Sequence, residues 1–191
     1  MPFKIGRKIS LFALLVATAT TGNVWAQDPA SDAQTRTGKK VALRTSTGYY
    51  ITAEDGGGAS VHTDRQALGP WETFTMLSVA PGIFAFRSDN GSFLSLSDLS
   101  GSPERPGRAA RTMLTATKKQ LDASTQFKML VVNPDNWTVA LITSTGKYVT
   151  AENNGGVKAR GAQAISTDRT EIGDWEQFQL VDVDKQARPA R

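Results

Sequence analysis

The stretch Val41-Ala-Leu-Arg-Thr-Ser-Thr-Gly-Tyr-Tyr-Ile-Thr-Ala-Glu54, carried on through Gly56-Gly-Gly58 to Gly69-Pro-Trp-Glu-Thr-Phe74, decides the fold because the chain repeats it. Its opening returns 98 residues later as Val139-Ala-Leu-Ile-Thr-Ser-Thr-Gly146. Its close, Asp64-Arg65 through Trp71-Glu72-x-Phe74, returns 104 residues later as Asp168-Arg169 through Trp175-Glu176-x-Phe178. A fainter copy lies between, with Phe84 to Gly91 answering Val41 to Gly48 and Leu121 to Phe127 answering Leu68 to Phe74. Self-similarity at a fixed period signals a repeat architecture, in which each unit completes a core that it cannot close alone.

Within each copy the pattern has period two. Val41 and Leu43 alternate with Ala42 and Arg44, as in a half-buried strand, and Thr47-Gly48 marks a turn before Tyr50 to Ala53 resumes the alternation. The equivalent turns are Asn90-Gly91 and Thr145-Gly146, and Asn-Gly is a strong hairpin signal. Aligned, the copies place apolar residues in threefold register at Val41/Phe84/Val139, Leu43/Phe86/Leu141, Ile51/Leu94/Val149 and Val61/Leu114/Ile165. The register continues at Leu68/Leu121/Ile172, Phe74/Phe127/Phe178 and Met76/Met129/Leu180. Each copy then holds about four short strands, roughly twelve in all, and no stretch longer than one turn has helical periodicity. Three copies of four strands in this length predict an all-β fold, a β-trefoil: a closed barrel capped by three hairpins.

The segments outside the repeats read differently. Lys4, Arg7 and Lys8 precede an apolar run, Ile9 to Ala17, and small residues lead to Val24-Trp25-Ala26. This is the order of a secretory signal peptide over residues 1–26, with cleavage expected near Ala26-Gln27 and a periplasmic or secreted destination. The run is too short to span a bilayer. Residues 27–40 lack apolar periodicity and read as a flexible lead-in, 41–183 as the trefoil, and 184–191 as a polar tail. Inserted lengths around Ser97 to Arg111 and Gly156 to Ala164 read as loops.

Composition excludes several functions. The chain has 22 Lys and Arg against 18 Asp and Glu. Three of those bases and no acid fall in the first 26 residues, so the remainder is nearly neutral and nucleic acid is not an expected partner. With no cysteine there is no disulfide framework, no thiol nucleophile and no thiolate metal ligand.

The words Leu43-Arg-Thr-x-x-Gly48-x-Tyr50-x-Thr-Ala53-Glu54, Gly56-Gly57-Gly58 and Gly69-Pro70-Trp71-Glu72-Thr73-Phe74 resemble the fascin-type β-trefoil repeat. The third copy keeps Gly146-Lys-Tyr148-Val-Thr-Ala151-Glu152, Gly155-Gly156 and Trp175-Glu-x-Phe178. The second copy departs from it, with Ser124 and Thr125 where Trp-Glu stand elsewhere. The resemblance covers Val41 to Val183. It implies a non-catalytic binding trefoil, of which animal fascins chain four to cross-link actin and bacterial single-domain forms are exported, often beside polysaccharide-acting modules. The Gln-x-Trp signature of ricin-type lectins is absent.

The candidate sites follow from breaks in the repeat. Trp71 and Phe74 recur in phase with the core, so the tryptophan is expected to close the barrel base with Glu72 bonding local backbone. Glu54 and Glu152 are expected to accept hydrogen bonds from the glycine-loop amides, and the Gly56–Gly58 run to form a positive-φ turn. Tyr49 and Trp137 have no aromatic counterpart in the other copies, and are read either as local packing or as rings that stack on sugar. His62, the single histidine, has no second imidazole or thiolate with which to hold zinc; it is read as a surface residue or a ligand contact. Arg105, Arg108 and Arg111 form a basic loop, either solvated or set against an acidic polymer. No residues assemble a catalytic site, and no cofactor or metal is expected. The functional expectation is a monomeric, exported, non-catalytic module that binds carbohydrate or polysaccharide. The alternatives are a protein-binding factor of fascin type, directed at actin or a host protein, and a trefoil protease inhibitor using the loop from Ser97 to Arg111.

Overall fold

The computed structural model describes residues 38–98, 112–156 and 164–186. Twelve strands follow one another: β1 Lys39–Thr45, β2 Tyr50–Ala53, β3 Val61–Arg65, β4 Phe74–Ala80, β5 Ile83–Arg87, β6 Phe93–Asp98, β7 Thr112–Lys118, β8 Phe127–Asn133, β9 Thr138–Thr143, β10 Tyr148–Ala151, β11 Ile165–Arg169 and β12 Phe178–Asp182. A single helical turn, α1 (Val183–Gln186), follows β12. Residues 1–37, 99–111, 157–163 and 187–191, which hold the expected signal peptide and most of the expected lead-in and inserted loops, lie outside the described residues. Lys39 and Lys40, expected in the lead-in, open β1 through pairing with Met76 and Thr75, and Ser97 and Asp98, expected in a loop, extend β6.

Pairing closes a six-stranded barrel. β1 pairs with β4, β4 with β5, β5 with β8, β8 with β9, β9 with β12, and β12 returns to β1, all antiparallel. Closure leaves no unpaired barrel edge. The other six strands form the hairpins β2–β3, β6–β7 and β10–β11, which cap one end. Each cap hairpin carries the same bulge: Tyr50↔Arg65 steps to Thr52↔His62, Phe93↔Lys118 to Ser95↔Thr115, and Tyr148↔Arg169 to Thr150↔Ser166. A bulge bends its strand and tightens the local twist, which lets each hairpin curl over the barrel mouth. The three expected hairpin turns also share one geometry. Gly48, Gly91 and Gly146 have φ of 94°, 85° and 77°, and their amides donate to Thr45, Ser88 and Thr143 carbonyls at 3.0 Å.

Six of the seven expected apolar rows form the main core, with Met76, Phe84, Met129 and Leu180 packed on it from partly buried positions. Phe74, Phe127 and Phe178 are fully buried, and the Phe86 and Phe127 rings meet at 6.1 Å with a 56° tilt. The row Leu68/Leu121/Ile172 does not join this core. Leu68 packs on Ala42, Tyr50 and Val181, Leu121 packs on Leu77, Ala85 and Phe93, and Ile172 is 37% exposed. This row precedes the short 3-10 turns at Pro70–Glu72, Ala123–Thr125 and Asp174–Glu176, outside the barrel wall, so the register there continues over an outer surface.

The difference between the rows is measurable. Phe127→Ala should cost about 3–5 kcal/mol, the range for an aromatic truncated in a close-packed core. Ile172→Ala should stay within about 0.5 kcal/mol, as for an ordinary surface change. Urea unfolding of the two variants checks both values.

Candidate functional site

Trp137 is the most exposed large apolar side chain among the described residues, at 58%. It ends the turn between β8 and β9. Asn133 Oδ1 accepts from the Asp135 amide at 2.9 Å, and Asn136 Oδ1 accepts from the Thr138 amide and hydroxyl at 3.1 and 2.7 Å. The Trp137 carbonyl accepts from the Leu180 amide at 2.9 Å, which ties the turn to β12. The matching carbonyl in the β4–β5 turn is that of Gly82, which accepts from Met129 at 2.9 Å. Both residues have positive φ, 73° for Gly82 and 55° for Trp137. Glycine adopts that conformation freely, whereas a bulky side chain is strained in it. Strain of this kind concentrates at functional sites.

Two hollows flank this turn. One, of about 230 Å³, has Trp137, Val41, Met76 and Leu180 along its walls and Lys39, Asp182 and Lys185 at its rim. The other, of about 350 Å³, is polar and presents Arg44, Ser46, Asn136, Asp174, Gln177 and Gln179. An exposed indole face beside mixed donors and acceptors suits a ligand that is apolar on its faces and hydroxylated at its edges.

The other candidates lie elsewhere. Tyr49 is half-buried beneath the Gly155–Gly156 turn of the third copy. A Cβ on Gly155 would come within 2.8 Å of the Tyr49 Cβ, and one on Gly156 within 3.2 Å of its ring. Thr47 Oγ1 donates to the Asn154 carbonyl and Asn154 Nδ2 to Ser46 Oγ, so this seam between copies is closed around the tyrosine. His62 is half-buried on β3 with Ser60 Oγ 2.7 Å from its Nε2. Arg105, Arg108 and Arg111 lie outside the described residues. The structure does not bring Tyr49, His62 and Trp137 together.

Two expectations need correction. Trp71 and Trp175 do not close the barrel base. They are half-buried on the outer wall beneath guanidinium groups, Arg65 at 4.5 Å and Arg169 at 5.1 Å from the ring centres. Their place in phase with the core reflects the recurring Arg-Trp pair, a cation–π contact that needs only one face covered. Glu54 and Glu152 do not take the loop amides either. Gly57 and Gly155 donate instead to the backbone carbonyls of Glu54 and Glu152, at 2.9 and 3.1 Å. The Glu54 carboxylate receives Arg65 at 2.9 and 3.2 Å, and Glu152 receives the Ser166 hydroxyl at 2.5 Å. Other expectations hold. Gly56, Gly57 and Gly58 have φ of 73°, 116° and 90°. Glu72 accepts from the Gly69 amide at 2.8 Å, and Glu176 from Gly173 at 2.7 Å. In the second copy Thr125 Oγ1 does the same work, accepting from the Asp122 amide at 2.9 Å.

The fold is a β-trefoil. The chain aligns with a designed threefold-symmetric protein, ThreeFoil, at TM-score 0.58 and 18% identity, covering 75% of this chain and 99% of that one. It aligns with the ricin B-like lectin of Macrolepiota procera in complex with lactose at TM-score 0.56 and 13% identity, covering 76% and 96%. SeviL bound to asialo-GM1 saccharide aligns at TM-score 0.53 and 11% identity, covering 77% and 99%. The chain belongs to the family described as a domain of unknown function, DUF7910, whose model matches residues 36–160. Among curated proteins none matches this sequence. No helix among the described residues is long and apolar enough to cross a membrane.

The rim of the Trp137 hollow holds an ion pair. Lys39 Nζ lies 2.8 Å from Asp182 Oδ2, and the Lys185 amide donates to Asp182 Oδ1 at 3.3 Å. The Lys39 hydrogen bond foremost, with the Lys185 amide and both positive charges, holds the Asp182 carboxyl below the usual carboxylate range against the opposing effect of desolvation. A carboxyl depressed in the folded state stabilises above its unfolded pKa, near 4, and ceases to as the pH falls through its folded value. Asp182→Asn should therefore lower Tm slightly at neutral pH, and the gap should close on acidification. Thermal unfolding across a pH series measures it.

Proposed function

We propose that this chain is an exported, non-catalytic carbohydrate-binding module, a single fascin-like β-trefoil over residues 41–183 preceded by a cleaved signal peptide, with Trp137 as its ligand platform. The observation that carries the reading is a tryptophan 58% exposed in a left-handed conformation that glycine adopts in the equivalent turn. A fold that keeps strain at one surface residue gains nothing in stability from it, which points to selection for contact. Support comes also from trefoil structures of similar architecture described as complexes with lactose and with asialo-GM1 saccharide. The sugar would lay its apolar face on the indole and its hydroxyls against the polar groups beside the turn. The order of charges, apolar run and small residues at the amino terminus supports delivery to the periplasm or beyond.

A second reading has its own observation. Leu130, Val131 and Val132 on β8 are 40%, 44% and 39% exposed, next in the chain to the Trp137 turn. Apolar side chains left this exposed on a strand suit a protein partner of the fascin kind better than a sugar.

Trp137→Gly separates binding from folding. Relief of the left-handed strain should offset the lost ring contacts and the added freedom of the unfolded chain, leaving stability within about 1 kcal/mol of the parent. Binding to a panel of neutral and acidic glycans should fall at least tenfold. Binding confined to acidic polymers and weakened by salt would instead move the site to Arg105, Arg108 and Arg111. A blank panel would favour the protein partner.

A further inference from the structure

His62 and Asp64, two residues apart, share one side of β3, and Glu54, in the 3-10 turn that follows β2, lies beside them. One ligand-capable atom from each of the three lies within 4.8 Å of the others, and all three side chains are half-buried. Asp64 Oδ1 is closed off from solvent and has no hydrogen-bond partner among the described residues. A shielded carboxylate oxygen left unsatisfied is costly unless a cation or donor meets it.

The third copy provides an internal comparison. Glu152, Asp168 and Arg169 repeat Glu54, Asp64 and Arg65, but Ser166 stands where His62 does. The Ser166 hydroxyl lies 2.5 Å from Glu152 Oε1 and 3.2 Å from Asp168 Oδ1, so a neutral hydroxyl links the two carboxylates there. In the first copy an imidazole replaces that hydroxyl, and its Nε2 is turned to Ser60. Arg65 does not answer Asp64. Its guanidinium is committed to Glu54 at 2.9 Å, to Glu72 at 3.7 Å and to the Trp71 ring at 4.5 Å. Glu54 and Glu72 therefore share the guanidinium, while Asp64 is left beside the imidazole.

We propose that Glu54, His62 and Asp64 form a binding site for a divalent cation of the zinc type. One imidazole nitrogen with two carboxylate oxygens is a donor set that borderline cations favour over calcium or magnesium, which seek oxygen alone. Three protein ligands leave the remaining coordination to water or to a ligand oxygen. His62 and Asp64 are fixed on β3 and Glu54 in the 3-10 turn that leaves β2, and Ser60 orients the ring as an outer partner does. The strand pairing supplies as carboxylates the partners that the sequence lacked as a second histidine or a cysteine. The site is independent of the Trp137 surface.

The chain's single histidine makes the test clean in a protein free of any histidine tag. Addition of zinc chloride should shift the imidazole resonances of His62 and saturate at one equivalent, while magnesium and calcium at the same concentration leave them in place. His62→Ser installs the residue that the third copy accommodates, so it should fold with an unchanged Tm and lose at least tenfold in zinc affinity by calorimetry; Asp64→Asn should lose affinity similarly. Cobalt(II), a paramagnetic substitute, should broaden amide resonances around Glu54, His62 and Asp64 in the parent, a readout that needs no variant. An unmoved His62 ring at submillimolar zinc, broadening centred elsewhere, or equal affinity in His62→Ser would overturn the proposal.

Discussion

The ladder between β1 and β12 is the constraint on which the rest of the molecule depends. It runs from Val41↔Asp182 to Thr45↔Phe178 and joins the first copy to the third. Without it the six strands would form an open sheet with two exposed edges, and the apolar rows of the three copies would not meet. With it, Phe74, Phe127 and Phe178 are sealed from water and burial of the core can offset the entropy of ordering the chain. The same ladder builds the surface proposed to bind. Leu180 on β12 pins the Trp137 carbonyl, and β1 and β12 supply Lys39, Val41, Leu180 and Asp182 to the hollow beside the indole.

Threefold symmetry is kept where the barrel needs it and broken where chemistry can be added. All three cap hairpins bulge at the same step, and all three hairpin turns carry a positive-φ glycine. Against that constant frame, Trp137 replaces a glycine conformation and His62 replaces a serine. Neither exchange helps the core. Each places an aromatic or ligating group on an outer surface whose backbone is already held by its neighbours, the arrangement a rigid site requires.

The barrel was legible in the sequence because its apolar rows obey two periods at once, the alternation of a strand and the repeat of the copy. The outer features obey only one. Leu68, Leu121 and Ile172 recur with the copy but not with the barrel interior, and the sequence does not say which side of the wall they occupy. Trp71 misled for the same reason. The signal that could have corrected it was present, since Arg65 and Arg169 each precede a recurring tryptophan by six residues. Tyr49 found its cover in Gly155 and Gly156, more than a hundred residues away, across a seam between copies that spacing within one copy does not reveal. The Glu54–His62–Asp64 cluster was hidden by the bulge. Until Thr52 is known to face His62 rather than its neighbour, the side on which those donors gather cannot be assigned.

The closing ladder also sets how the protein would bear load. Lys39 and Asp182 lie at the same end of the β1–β12 pair, so the chain enters and leaves the barrel side by side. Force applied through the two ends acts on one terminal rung first, and the rungs open in sequence rather than sharing the strain. Lys39, Asp182 and Lys185 also rim the Trp137 hollow, so a neighbour pulling on either end would load that hollow directly.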